Sequence, residues 1–155
     1  MIAGYCWPQS VLPGEAVSLA VSADHSLCDV QVVRIGSDEI AVGAWEQVPV
    51  TEQPVPVDAA KDGCGWQETL NIEVAESWTS GFYLVRLTCS DGENAEAFFV
   101  VKASEPRDTL LVLSTSTWAA YNDWGGPSYY TGGNHSSLMR PLPKGFLEKP
   151  DPHRY

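Results

Sequence analysis

The residues best equipped for chemistry lie in one stretch, Thr109 to Tyr130, with the sequence TLLVLSTSTWAAYNDWGGPSYY. Tyr121 carries a phenol that binds a metal once ionised, and a hard cation such as iron(III) favours the ionised form; tyrosine serves as the iron ligand in catalase. Asn122 and Asp123 stand next to it as polar support for a ligand or substrate, and Trp118 and Trp124 flank it with aromatic surface. His135, in Gly-Gly-Asn-His-Ser-Ser, is a further candidate binding residue. The same residue types also suit an aromatic cluster that caps a core, with His135 a solvated loop histidine. Residue types alone leave both readings open.

Elsewhere the chain offers little local chemistry. His25 falls in a polar turn and His153 lies next to the last residues, so no H-x-H or H-x-x-x-H pair closes a metal site. The four cysteines, at positions 6, 28, 64 and 89, form no C-x-x-C pair. Reduced, buried thiols are the plain expectation, and a Cys28–Cys89 bridge between two sheets is the alternative. Neither a G-x-S-x-G elbow, a Walker A loop nor a G-x-G-x-x-G turn occurs, which argues against the commonest hydrolase, nucleotide and dinucleotide signatures. Asn134-His135-Ser136 matches a glycosylation acceptor by form, which is read as chance.

The elements that must position these residues divide at about Ala103. Up to there, punctuation by turns and short alternating runs describes antiparallel strands: Val17, Leu19 and Val21 after the Pro13-Gly14 turn, Val30 to Ile35, Leu70, Ile72 and Val74, and a hairpin from Gly81 to Cys89 and Ala97 to Lys102. Prolines 49, 54 and 56 make the segment from Trp45 to Trp66 a surface excursion with at most an edge strand. Six or seven such strands predict an immunoglobulin-like antiparallel β-sandwich over residues 1–104, with Tyr83 placed as a strand-corner tyrosine. Beyond Glu105-Pro106-Arg107 the solid run Leu110 to Leu113 reads as a strand covered on both faces, with the aromatic stretch as the loop at its carboxyl end. No second apolar run follows with which it could pair. Residues 105–155 therefore read as the first strand and loop of an incomplete α/β domain in a truncated chain; the alternative is that the strand joins the sandwich and the tail lies on its surface.

Composition sets the outer bounds. Apolar residues at 44% and six tryptophans make the chain globular, and 155 residues suffice for one domain, or for a small domain plus a piece of another. A formal charge of -11 repels nucleic-acid backbones and anionic lipid surfaces, so neither is an expected partner. No apolar run reaches the ~20 residues needed to span a bilayer. The opening Met-Ile-Ala-Gly-Tyr has no basic and apolar leader pattern, and the expectation is a cytoplasmic chain.

The Trp-x-x-Tyr-Asn-x-Trp-Gly-Gly stretch, within the run from Leu111 to Tyr130, resembles the start of the α/β domain in the N,N-dimethylformamidase large-subunit family. The opening Gly4-Tyr5-Cys6-Trp7-Pro8-Gln9-Ser10, with Pro13-Gly14-Glu15 after it, is similar to the entry of the β-sandwich that precedes that domain. The resemblance implies a hydrolase of carbon–nitrogen bonds in small amides, built from a sandwich and a glutamine amidotransferase-like α/β domain. It also implies a mononuclear iron held by a tyrosine, a histidine and a glutamate. Tyr121 matches the tyrosine, and the His-x-Glu stretch that carries the other two has no counterpart up to Tyr155. The implied partners are the missing downstream domain and a small amide substrate, with an oligomer or a small partner subunit left open, and the isolated chain is expected to be inactive. A second reading, from a different class, is a non-catalytic sandwich for binding or assembly with the aromatic loop as its contact surface.

Overall fold

The computed structural model describes residues 1–148, so His153 and the prolines at 150 and 152 lie outside the described residues. Ile2–Trp7 already forms a strand, β1, ahead of any alternating pattern in the sequence. Its first five residues are buried irrespective of face, which erases the alternation that would reveal a strand. Ser10–Val11 (β2), Ala16–Ala23 (β3), Leu27–Ile35 (β4) and Glu39–Pro49 (β5) follow. After a one-turn helix, α1 (Ala59–Asp62), come Leu70–Glu73 (β6), Gly81–Cys89 (β7) and Asn94–Val101 (β8), and last the helix α2 (Thr115–Tyr121).

The strands make two sheets, one ordered β1-β3-β6 and one ordered β2-β8-β7-β4-β5. Every pairing is antiparallel except the short parallel contact of β2 with β8. This is the predicted sandwich. Val17, Leu19, Val21 and Ile72 from the smaller sheet are buried in one apolar core with Val30, Val32, Val85, Leu87 and Phe99 from the larger. Removal of such side chains from water is the main stabilising contribution, about 1.5–3 kcal/mol for each large aliphatic or aromatic residue. Tyr83 occupies the expected corner: its ring is fully buried and its hydroxyl donates to the Thr79 carbonyl at 2.6 Å.

Several expectations need correction. The edge strand allowed for Trp45 to Trp66 is present but starts earlier: β5 is eleven residues long, Glu39–Pro49, and is interrupted by register shifts at Cys28/Val30 and Val32/Val33 of its partner β4. Such irregularities let an edge strand bend without continuing its ladder to a neighbour. Cys28 and Cys89 face one another across β4 and β7, in one sheet rather than between two, and all four cysteines are buried free thiols. Leu110–Leu113 forms no ladder among the described residues. Leu110 is 83% exposed and Val112 76%, and no strand of either sheet pairs with this segment. The alternative in which this strand joins the sandwich fails too, although the tail does pack on the sandwich surface. Finally, Thr115–Tyr121 is helical rather than loop, with Thr115, Trp118 and Ala119 at the i, i+3, i+4 spacing of one helix face.

Candidate functional site

Helix α2 presents the candidate residues from the outer face of the larger sheet. That face carries Phe82 and Phe98, and Trp118 meets Phe98 edge-on at 5.2 Å between ring centres and 85° between planes, with Phe82 at 6.4 Å. Trp118 is thus the anchor of the helix on the sandwich. Trp124 likewise turns inward: its ring lies edge-on to Trp66 at 5.5 Å and 89°, and Trp66 packs against Tyr5 of β1. Both tryptophans serve packing.

Tyr121 ends the helix and is half exposed. Its ring stacks on Tyr130 at 4.1 Å and 15°, and the two phenols are close enough for Tyr130 to hold the Tyr121 hydroxyl above the usual tyrosine range by hydrogen bonding. The stack is held by backbone, because the Tyr129 N–H donates to the Ala120 carbonyl at 3.1 Å and so fastens the returning chain to the last turn of the helix. Ser128, buried beneath, shares hydrogen bonds with the Thr131 hydroxyl and accepts from the Gly133 N–H. Gly126 permits the reversal between the two tyrosines: its φ is 155°, and a Cβ there would come within 2.8 Å of the Ala60 Cβ on α1.

Asn122 is buried, and both ends of its amide are engaged. The Nδ2 donates to the Pro141 carbonyl at 2.9 Å, and the Oδ1 accepts from the Trp124 N–H at 2.9 Å. Asp123 is exposed and makes no side-chain hydrogen bond among the described residues. His135 is exposed as well, its ring at 2.6 Å from the Asn134 Oδ1. No contact among the described residues joins it to Tyr121. Sequence reasoning passed over Tyr130, Ser128 and above all Arg140, a buried residue whose guanidinium donates to the Trp124 carbonyl at 2.6 Å and the Asn122 carbonyl at 2.8 Å. Burial pulls the Arg140 pKa down, a tendency that Cys64 and Asp123 oppose. Its signal in the sequence was one isolated cation, Leu-Met-Arg-Pro, in a tail without periodicity.

A hard oxygen donor on an exposed, backbone-fastened ring suits a hard cation such as iron. Among the described residues the one grouping of three histidine, cysteine or carboxylate ligands is Asp24, His25 and Glu93, with ligand atoms within 4.8 Å of one another, and none of them belongs to the α2 loop. The fit at Tyr121 is therefore that of one donor. Among the described residues no helix is long and apolar enough to cross a membrane.

No curated protein matches this chain. A family profile does: that of the N,N-dimethylformamidase beta subunit-like, C-terminal family matches residues 29–151, taking in most of the sandwich, α2 and the tyrosine loop. With the match covering well over half of its residues, the chain belongs to the N,N-dimethylformamidase beta subunit-like, C-terminal family.

Proposed function

We propose that this chain is part of a hydrolase acting on carbon–nitrogen bonds of small amides, with Tyr121 as one protein ligand of a mononuclear iron. Family membership supports the reaction class, and the observation that carries the residue assignment is the placement of Tyr121. Tyr121 combines an exposed phenol with a backbone held by α2, which it ends, and by the Ala120–Tyr129 hydrogen bond beside it. Residues 105–155 are assigned to the opening of an α/β domain, whose sheet would pair Leu110–Leu113 and whose downstream part would bring the histidine and glutamate ligands. When bound, the iron supplies Lewis-acid polarisation of an amide carbonyl or of a water molecule.

The chain's own residues do the positioning. Tyr121 presents its oxygen and gives up the hydroxyl proton that Tyr130 helps retain in the metal-free pair. Asn122 holds the turn behind it, and Trp118 and Trp124 fix the helix and loop to the sandwich.

Reading the frame downstream of the Tyr155 codon tests the domain assignment, which requires a His-x-Glu segment and fails if a stop codon follows directly. In the full-length protein, Tyr121→Phe is expected to remove the phenolate-to-iron colour and to lower amine release from small amides at least 100-fold, of the order seen when a metal ligand or its support is lost. A variant that keeps both colour and activity would sink the ligand role.

The aromatic contact-surface reading now rests on a different set of residues. With Trp118 and Trp124 packed inward, the exposed surface consists of Tyr121, Tyr129 and Tyr130, together with Leu110, Leu111 and Val112. That apolar run favours an interaction role, which the completed α/β sheet would also satisfy.

A further inference from the structure

Arg140 is 2% exposed and the only buried charged side chain among the described residues, yet no salt bridge there includes it. Its hydrogen bonds go to neutral oxygens alone: the Trp124 carbonyl, the Asn122 carbonyl and, at 3.4 Å, the Ser136 hydroxyl. The Nε is buried with no partner among the described residues. Burial of a cation on such terms is costly, and an apolar side chain of similar volume would fill the space without that cost. What an apolar chain lacks is a rigid fork of donors able to hold two carbonyls at once.

Those two carbonyls define the turn that follows Tyr121. Asn122 is the next residue, and its side-chain amide reaches back to the carbonyl of Pro141, the neighbour of Arg140. The segment is itself moored to the sandwich side, since the Cys64 N–H donates to the Met139 carbonyl at 2.9 Å and the Ser137 N–H to the Ala60 carbonyl at 2.8 Å. A continuous mechanical path therefore runs from α1, through 137–141, to the turn and the tyrosine. We propose that Arg140 is the positioning residue of this site: its fork on the Asn122 and Trp124 carbonyls sets the turn that stacks Tyr121 on Tyr130 and aims the Tyr121 oxygen. The functional consequence rests on the assignment of Tyr121 as a ligand; the positioning itself does not.

The test is made first on the metal-free chain, by nuclear magnetic resonance of the aromatic rings. In Arg140→Ala, the ring-current shifts of Tyr121 and Tyr130 are expected to collapse towards those of unstacked tyrosine, while those of Trp78 and Tyr83, stacked in the sandwich core at 5.3 Å, stay in place. Guanidinium ion at a non-denaturing concentration should restore the Tyr121–Tyr130 shifts. Arg140→Lys should restore them only in part, because an ammonium lacks the planar fork. An unchanged stack in both variants, or loss of the Trp78–Tyr83 shifts together with it, would overturn the proposal. In the full-length protein loaded with iron(III), displacement of the phenolate band in Arg140→Lys supports the aim assigned to the oxygen. A colour indifferent to Tyr121→Phe would instead remove the ligand assignment and leave the metal-free result standing.

Discussion

Asn122 shows how a residue type misleads until its burial is known. Beside an exposed aspartate, and one position after a tyrosine with donor chemistry, an asparagine reads equally as a substrate contact or as a loop brace. At 1% exposure, with its amide oxygen on the Trp124 N–H and its amide nitrogen on the Pro141 carbonyl, it braces the loop. The sequence carried the identity of this group and not its direction, because an Asx-type turn and a binding site draw on the same side chain. Arg140 was illegible for the complementary reason: its partners are backbone carbonyls 16 and 18 residues away, which have no residue signature. The Asn122→Ala variant leaves one buried donor and one buried acceptor unsatisfied, and is expected to lower stability by about 1–3 kcal/mol. Denaturant unfolding with an unchanged slope and a lower midpoint is the expected result. An unchanged midpoint would show that the loop closes without the amide.

At the scale of elements, the strands most legible in the sequence were those whose core-facing side chains are large and apolar at every second position, with smaller or polar residues between most of them. Val17, Leu19 and Val21 of β3 and Tyr83, Val85 and Leu87 of β7 announce themselves by period-two spacing, and each lies in the core. β1 was missed because Ile2 to Cys6 are buried on both faces, the outer one beneath Trp66. The opposite error occurred at Leu110–Leu113, where a continuous apolar run has the composition of a covered strand and no covering among the described residues. For α2, only two turns long, propensity and spacing give a weak signal, and docking on Phe82 and Phe98 supplies what the isolated segment lacks. Trp118→Ala removes that dock. For a half-buried tryptophan the expected cost is below the ~3–5 kcal/mol of a fully buried one. Amide hydrogen exchange should reveal it as faster exchange in α2 and the loop through Tyr130, with β7 and β8 protected as before. Equal acceleration in the strands would mean that helix and sandwich unfold as one unit.

For the whole molecule, the excess of acid that argued against nucleic acid and anionic lipid also sets how the fold responds to pH. Three exposed carboxyls are held below the usual range: Asp24 by the amino-terminal ammonium, Glu39 by Arg86, and Asp91 by the backbone N–H of Glu93. Each binds its proton more weakly in the folded than in the unfolded chain. Its contribution is therefore present above the unfolded carboxyl range, about 3.9–4.3, and is lost as pH falls through the lowered folded value. Glu96 behaves in the opposite sense, because burial raises its pKa, so its contribution is present at low pH and lost as pH rises through the folded value. The three lowered groups each favour a loss of stability on acidification, and Glu96 opposes it. Arg86 is the member of this set that ties distant parts together, with hydrogen bonds to Glu39 of β5 at 2.9 and 3.0 Å and a further contact to Glu148 beyond α2. Arg86→Met releases Glu39 towards its ordinary pKa and removes a neighbour that favours ionised Glu96. Both changes move folded values upward, so the variant should be less stable at neutral pH and lose less on acidification. The thermal midpoint measured from pH 7 down to about 3 should show the two curves converging at the acid end. Since the Glu39 carboxylate that Arg86 holds is exposed, added salt should narrow the gap at neutral pH as well. Curves that stay parallel across the range would show that Arg86 acts through packing of its stem and not through the carboxylates it holds.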